Sequence, residues 1–221
     1  IIFKYIGKYW EFCGMKKKII LIGGGGHCGA VIDVIESTDQ YEIMGVIDEK
    51  TDELKLNYKV LGDDREILNY KANDVEFLIT IGKIGANKRR VELYEFLKKN
   101  ECRLAKIISP FAYVSKNTSI GEGTIIMHHA VVNANASVGE NCILNTKSLV
   151  EHDVVIGKHT HISTASVVNG CVRIGSDVFL GSHATVNLGL EICDQVSIAS
   201  SSLVATSISE KGIYKGVPIN G

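Results

Sequence analysis

The feature that most constrains the fold of this chain is an aliphatic residue at every sixth position of its second half. Stepping by six from Val114 to Val204, 16 consecutive positions are Val, Ile or Leu. A second series, four residues after each of these, is mostly small or β-branched. Neither the 3.6-residue period of a helix nor the two-residue alternation of a half-buried strand produces this spacing. It is typical of a solenoid whose coils bury their interiors by stacking on one another.

A longer period of 18 residues lies on top of the six-residue one. It consists of four glycines, Gly121, Gly139, Gly157 and Gly175, each directly after an aliphatic position. Three faces of six residues make one triangular coil, and neighbouring coils should stack about 4.8 Å apart. We expect these glycines to lie at a corner that requires φ > 0. Residues 110–221 are therefore assigned to the solenoid.

The first half of the chain alternates short apolar runs with amphipathic segments. Strands are predicted over KKKIILIG, YEIMGVID, VEFLITIG and LAKIIS, and helices over HCGAVIDVIES and GANKRRVELYEFLKKN. This alternation predicts a small Rossmann-like α/β domain with a parallel sheet over residues 15–109. We interpret residues 1–14 as an extension, with Met15 as the natural start.

Composition excludes several classes of function. The 221 residues contain 24 Lys plus Arg and 25 Asp plus Glu, and a net charge of −1 does not suit a general nucleic-acid binder. No apolar run reaches the roughly 18 residues that cross a bilayer. The six cysteines include no CxxC pair, which predicts reduced, mostly buried thiols in the cytoplasm and no structural zinc.

A glycine-rich stretch in the first half favours phosphate binding. Gly24, Gly26 and Gly29 fit G-x-G-x-x-G between a strand and a helix, where bare backbone N–H groups and the helix N-terminus hold phosphate. Asp48 ends the next strand and is placed to accept a ribose hydroxyl. Two alternatives stay open, namely a dinucleotide-dependent oxidoreductase, for which this domain is short, and a turn without a ligand.

His152, within the repeat, is the candidate base. An imidazole with its usual pKa of about 6.5 suits proton removal near neutral pH, and a neighbouring carboxylate orients the ring. Glu151 and Asp153 flank it. Because successive strand residues face opposite ways, contact between His152 and Asp153 requires a corner or a neighbouring subunit.

Together these features resemble a known family. The repeat is similar to the hexapeptide-repeat acyltransferases, whose fold is a left-handed parallel β-helix. With the preceding α/β domain, the chain resembles the nucleotide-sugar and sialic acid acetyltransferases, most closely the bacterial UDP-4-amino-sugar N-acetyltransferases. The resemblance is carried by IILIGGGGHCG, VIDE, LITIG, ILNTKSLVEHDVVIGKHTHIS and KGIYKGVP.

The resemblance implies a cytoplasmic homotrimer with acetyl-CoA in the cleft between subunits. The acetyl group would pass directly to the 4-amino group of a UDP-linked sugar, in cell-surface glycan biosynthesis and without a metal. His152 would be the proton acceptor and Asp153 would raise its basicity. The implied nucleotide-sugar residues are Gly25, Gly26, His27, Asp48, Glu49 and Gly82. The implied acetyl-CoA residues are His161, Ser182 and Ser200.

Other interpretations remain at this stage. The same machinery would serve O-acetylation of a sialic acid or another sugar hydroxyl, and a catalytically silent β-helix would serve as a scaffold. Lys83 or Lys88 is available for the diphosphate, although a solvated face is favoured for the run from Lys88 to Arg90. A covalent route is disfavoured because Cys142 and Cys171 have no histidine beside them in sequence.

The remaining histidines are expected to be polar surface residues. His128 and His129 are adjacent, but no acidic or cysteine partners recur near them at regular spacing, so outward positions are favoured over a metal site. His159 and His183 follow aliphatic positions by three residues and are expected to be solvated.

Overall fold

The apolar runs of the first half form a parallel sheet covered by helices on both faces. The computed structural model describes residues 2–6, 9–13, 16–49, 57–72, 74–83 and 88–219; Met15, the predicted start, lies outside these ranges. The elements are β1 (Ile2–Ile6), β2 (Tyr9–Cys13), β3 (Lys17–Ile22), α1 (Gly26–Thr38), β4 (Tyr41–Ile47), β5 (Val60–Gly62), a 3₁₀ helix (Asp64–Tyr70), β6 (Val75–Ile79) and α2 (Arg89–Lys99). The sheet order is β5-β4-β3-β6, and β1 pairs with β2 as a separate antiparallel hairpin.

Alternation along β3 explains why this sheet needs a helix on each side. Ile19 and Leu21 pack with the apolar side of α1, whereas Ile20 and Ile22 pack with α2 and the 3₁₀ helix. All four side chains are buried. The predicted strands and helices of this domain are confirmed, whereas β5 and the 3₁₀ helix were not predicted.

The second half is a left-handed parallel β-helix with three faces. Face 1 contains β7 (Ile107–Ile108), β10 (Ile125–Ile126), β13 (Ile143–Leu144), β16 (His161–Ile162), β19 (Phe179–Leu180), β22 (Val196–Ile198) and β24 (Gly212–Tyr214). Face 2 contains β8 (Tyr113–Val114), β11 (Val131–Val132), β14 (Leu149–Val150), β17 (Val167–Val168), β20 (Thr185–Val186) and β23 (Leu203–Val204). Face 3 contains β9 (Ser119–Ile120), β12 (Ser137–Val138), β15 (Val155–Ile156), β18 (Arg173–Ile174) and β21 (Glu191–Ile192).

The register of the coils confirms the six-residue pattern. Val132 pairs with Val150 and Val150 with Val168, so each strand pairs with the residues 18 positions later. The aliphatic residue of each hexamer points inward and belongs to one continuous buried core. We call the turns after faces 1, 2 and 3 the first, second and third corners.

The predicted reason for the 18-residue glycine period is wrong. Gly121, Gly139, Gly157 and Gly175 do not have positive φ. A Cβ at each of them would instead lie 2.5–2.7 Å from a backbone atom of the next coil. Close coil stacking therefore excludes a side chain there. The left-handed conformation falls two residues later, for example at Asn141 with φ 54°.

The run LAKIIS is shared between the two domains rather than forming one strand. Leu104 makes an isolated parallel bridge to Phe77 of β6, whereas Ile107 and Ile108 pair with β10 of the β-helix. The last strand signal of the first domain therefore also starts the solenoid. No helix among the described residues is long and apolar enough to cross a membrane.

Candidate active site

His152 lies in the second corner, where the turn brings it against its neighbour in sequence. Asp153 has φ 60°, and this left-handed residue turns its carboxylate back toward the preceding imidazole. His152 Nδ1 and Asp153 Oδ2 are 2.8 Å apart. The hydrogen bond from His152, supported by one from Asn135 Nδ2 at 3.1 Å, holds the pKa of Asp153 below its usual value. The expectation that this contact requires a corner is confirmed.

Glu151, the other flanking carboxylate, has a different role. Its Oε2 accepts hydrogen bonds from Asn133 Nδ2 at 2.9 Å and from the His152 backbone N–H at 3.3 Å. It therefore stabilises the turn, and Asp153 is the ring's partner. The side chains of His152 and Asp153 are 53% and 49% exposed, so Nε2 can meet a substrate.

Gly170 provides the surface on which the imidazole rests. A Cβ at this position would lie 2.6 Å from His152 Nε2 and 2.7 Å from Cε1. Cys171 N–H donates to the His152 carbonyl at 3.0 Å, which ties the two coils together. Sequence reasoning missed Gly170. Its signal is a glycine at a corner outside the regular glycine period.

The glycine-rich stretch forms an open cradle at the carboxyl ends of the parallel strands. Gly25 is the N-cap of α1 without a side-chain cap, and the space around Gly25 and Gly26 is open within 4 Å. Asp48 Oδ2 accepts a hydrogen bond from Gly24 N–H at 2.5 Å. The Asp48 carboxylate therefore positions the loop, in addition to any contact with a ribose.

A cavity of about 220 Å³ lies directly beside this cradle. Its lining includes Asp48, Glu49, Asp64 and Arg89. Arg89 pairs with Asp64, and it is the cation of the Lys88–Arg90 run that reaches the cavity. Ligands of open parallel sheets bind at this edge, which supports the nucleotide assignment of the cradle.

Two histidines, His27 and His161, are held neutral where the domains meet. His161 is 6% exposed, and its Nδ1 lies 2.6 Å from the Lys83 carbonyl, which requires a proton on Nδ1. Its Nε2 lies 3.2 Å from Asn145 Nδ2 and accepts from it. Burial lowers the pKa of each imidazole to about 4, and the nearby Arg90 guanidinium lowers both further. Weakly basic rings are poor general bases, so His152 is the better candidate.

The prediction of a solvated basic run is wrong for Arg90, and Lys83 does not face a diphosphate. The Arg90 side chain is 1% exposed and donates to the carbonyls of Ile81 at 3.1 Å and Gly123 at 3.3 Å. Burial lowers its pKa to about 10. Lys83, also 1% exposed, donates to the His159 carbonyl at 2.8 Å and pairs with an Asp177 carboxylate.

Both cations therefore bind the α/β domain to the β-helix. Docking also overturns the surface assignment of His159, which is 4% exposed and packs edge-on against Tyr94 with ring centroids 5.1 Å apart. His183 is exposed, as expected. His128 bridges the domains, with Nε2 2.8 Å from Asp33 Oδ2.

The positions assigned to acetyl-CoA lie along the first corner and face 1. Ser182 and Ser200 occupy equivalent positions in consecutive coils, and Ser182 Oγ lies 3.0 Å from Ser163 Oγ. A cavity of about 640 Å³ follows face 1 toward the C-terminal end. It is lined by Phe179, Ser197 and Ala199 and by the ammonium-bearing residues Lys88 and Lys211.

The predicted residues divide into two groups within one chain. The α/β domain packs on face 1 and its two flanking corners, through His161, His128 and Lys83. Gly25, His27 and Gly82 belong to this group, and a Cβ on Gly82 would contact His27 Cβ at 3.5 Å. His152 and Asp153 lie at the second corner, which is the vertex opposite face 1 in a triangular coil.

The cysteines add one correction. Cys28, Cys102 and Cys142 are buried free thiols, as expected, and burial raises the pKa of Cys142 to about 11. Cys171 is exposed. It has a ligand atom within 4.8 Å of one on His152, so the statement that it has no adjacent histidine is wrong in three dimensions.

Comparison with known proteins places both domains. Residues 18–97 match the model of the PglD N-terminal domain. The chain is 30% identical over 114 residues to the UDP-N-acetylbacillosamine N-acetyltransferase of Bacillus subtilis (strain 168). That alignment covers 50% of this chain and 51% of the relative, so the chain spans about half the length of the curated protein it matches.

Two solved structures extend the likeness over nearly the whole chain. The acetyltransferase domain of PglB from Neisseria gonorrhoeae FA1090, in complex with acetyl coenzyme A, is 25% identical. It superposes with a TM-score of 0.87 over 93% of this chain and 98% of its own. PerB from Caulobacter crescentus, in complex with CoA and GDP-perosamine, is 27% identical, with a TM-score of 0.84 over 92% of this chain and 96% of its own. With its PglD N-terminal domain and its repeat, the chain belongs to the hexapeptide-repeat sugar N-acetyltransferases.

Proposed function

We propose that this protein transfers the acetyl group of acetyl-CoA to the amine of a nucleotide-linked amino sugar. The observation that carries the proposal is the His152–Asp153 pair, held over Gly170 in a chain that also has a phosphate cradle. The similar proteins support both substrates, since one contains acetyl coenzyme A and another contains CoA with GDP-perosamine.

The nucleotide-sugar would bind at the carboxyl edge of the parallel sheet. The open N-terminus of α1 at Gly25 and Gly26 offers backbone N–H groups to the diphosphate. Arg89 adds a cation beside the cavity, and Glu49 lines its exposed side. The finer proposal, a UDP-linked 4-amino sugar, rests on the sequence resemblance, and GDP is the alternative that the PerB complex raises.

Acetyl-CoA would lie along the first corner and face 1. Ser182 and Ser200 border this path, and the nearby cavity is large enough for part of the cofactor. Its phosphates carry several negative charges, which suit the ammonium groups of Lys88 and Lys211. His161 would contribute a neutral ring surface next to Phe179, with ring centroids 5.4 Å apart.

The reaction follows from the geometry of His152. Asp153 holds the Nδ1 proton, so Nε2 presents its lone pair to the attacking ammonia-like nitrogen. Nitrogen attacks the thioester carbon as Nε2 takes its proton, and the imidazolium is stabilised by the Asp153 carboxylate. The oxyanion would be held by a backbone N–H, such as that of Gly170, which has no protein acceptor among the described residues. CoA then leaves as its thiol.

No acyl-enzyme is needed. Cys142 is buried, with a raised pKa, and is a poor nucleophile. Cys171 lies beside His152 and is the remaining covalent candidate. Cys171→Ser separates the two routes, because direct transfer leaves turnover within about threefold, whereas an acyl-cysteine route loses it.

A second subunit is part of the proposal. In one chain His152 lies at the vertex opposite the face that carries the nucleotide cradle. A cyclic trimer would bring the second corner of one subunit to the cradle of the next, as the resemblance implies. Cytoplasmic location and a role in cell-surface glycan synthesis stay predictions.

Subunit mixing tests this arrangement. Gly25→Asp places a negative charge in the cradle, where the side chain has open space, and His152→Ala removes the base. Each variant alone should be inactive, whereas random mixed trimers should regain about a quarter of the sites, those pairing an intact cradle with an intact histidine. Absence of recovery in confirmed mixed trimers would place the whole site in one subunit.

The reaction itself is tested with one panel of acceptors. Acetyl-CoA is offered with UDP- and GDP-linked 4-amino sugars and with sialic acid, and thiol release and acetylated product are measured. We expect N-acetylated product with a nucleotide-linked amine, and a loss of about 10²- to 10⁴-fold in kcat for His152→Ala. Product with sialic acid alone would establish the O-acetyltransferase, and no turnover would leave the scaffold.

A further inference from the structure

The corner that carries His152 also groups three different metal-binding side chains. His152, Asp153 and Cys171 each have one ligand atom within 4.8 Å of the others, and all three are exposed. No other group of three or more His, Cys, Asp or Glu ligands this close occurs among the described residues. The proposed transfer uses His152 and Asp153 but gives Cys171 no task.

Coil stacking, rather than a loop, holds these donors together. Asp153 and Cys171 are 18 residues apart and occupy the same left-handed position of consecutive coils, with φ 60° and 59°. The Cys171 N–H bonds to the His152 carbonyl at 3.0 Å. The three Cα atoms are therefore fixed by the regular part of the fold, and only side-chain rotation remains.

We propose that this trio is an inhibitory binding site for Zn²⁺. Nitrogen, oxygen and sulfur are the donors that this borderline-soft cation takes in proteins, with bonds of about 2.0–2.3 Å. Tetrahedral geometry then separates the ligand atoms by about 3.4–3.6 Å. The trio reaches this spacing by closing its widest gap by about 1 Å, and water fills the fourth position.

Bound Zn²⁺ blocks the base whichever imidazole nitrogen it takes. On Nε2 it occupies the lone pair that accepts the substrate proton. On Nδ1 it displaces the proton shared with Asp153, so the neutral ring carries its proton on Nε2 and has no lone pair there. The inhibitory effect rests on the proposed function of His152, whereas the metal site does not.

Binding and inhibition are measured separately. Binding is followed with Co²⁺, whose thiolate charge-transfer absorption reports sulfur ligation, and with ZnCl₂ in competition with a fluorescent zinc indicator. Inhibition is followed as acetylated sugar by mass spectrometry, because Zn²⁺ also binds the CoA thiol. The variants are Cys171→Ser and, as a matched control at the third corner, Cys193→Ser.

We expect one Zn²⁺ per chain, thiolate absorption with Co²⁺, and reversal of inhibition by EDTA. Cys171→Ser should abolish the absorption and weaken Zn²⁺ binding at least about tenfold, since even outer ligand partners are worth that much. Cys193→Ser should behave as wild type. Co²⁺ spectra without thiolate absorption, or equal Zn²⁺ affinity in Cys171→Ser, would overturn the site. Binding without inhibition would leave the metal site standing and instead contradict His152 as the base.

Discussion

Replacing Gly170 by alanine should displace the proposed base without disturbing the fold. The new Cβ would lie 2.6 Å from His152 Nε2, 2.7 Å from Cε1 and 3.2 Å from Cδ2. Van der Waals contact between such atoms needs about 3.5–4.0 Å, so the ring must move by about 1 Å. The ring can move because the His152 side chain is 53% exposed, and Gly170 does not have positive φ.

The size of the effect follows from that displacement. A misplacement of about 1 Å at a reacting group costs about 10²-fold in rate. The complete loss of a general base costs about 10²- to 10⁴-fold, which sets the upper limit. We therefore expect Gly170→Ala to lower kcat about 10²-fold. KM for both substrates should change less than about threefold, because Gly170 lies outside both proposed binding regions.

A double-mutant cycle tests whether the effect passes through His152. Initial rates are measured by CoA release for Gly170→Ala, His152→Ala and the combined variant, with thermal unfolding as the check on folding. If the methyl group acts by moving the imidazole, it costs nothing further once the imidazole is gone. Wild-type turnover in Gly170→Ala would refute the reasoning. So would a combined variant that is slower than His152→Ala by the full factor of the single Gly170 change.

Three further predictions concern acid stability, the cofactor path and domain docking. Burial holds the pKa of His27 and His161 at about 4, below the unfolded value of about 6.5, so unfolding takes up protons and the free energy of unfolding should fall as pH drops from 7 to 5, by about 2 kcal/mol per histidine. Urea unfolding of His161→Gln should show about half of that pH dependence; an unchanged slope contradicts the assignment. Lys211→Ala should raise KM for acetyl-CoA about tenfold but leave KM for the phosphate-free donor acetyl-S-N-acetylcysteamine unchanged; equal effects on both donors would remove Lys211 from the phosphate path. Lys83→Met removes the buried partner of Asp177 and should destabilise the fold by about 2–3 kcal/mol in urea, whereas a neutral result would show that this pair does not hold the domains together.

Much of the site could be predicted because its parts are neighbours in sequence. The contact of His152 with Asp153 follows from a corner placed by the repeat, and the cradle at Gly25 follows from a strand, a glycine run and a helix in succession. What could not be predicted is which groups the domain interface buries. Nothing local marks Arg90 or His159 as interior, because the carbonyls and rings that surround them come from segments 9 to 65 residues away.

Local periodicity alone therefore determined the three-sided solenoid, since one inward aliphatic in six and coil-to-coil stacking leave no other way to bury the apolar residues. Tertiary packing decided the rest. It made the periodic glycines a matter of clearance rather than of φ, and it buried Lys83 between the domains. It also seated the His152 ring on Gly170 and separated it from the cradle by the width of a coil. Steric clearance and desolvation depend on atoms distant in the chain, and only the folded structure brings those atoms together.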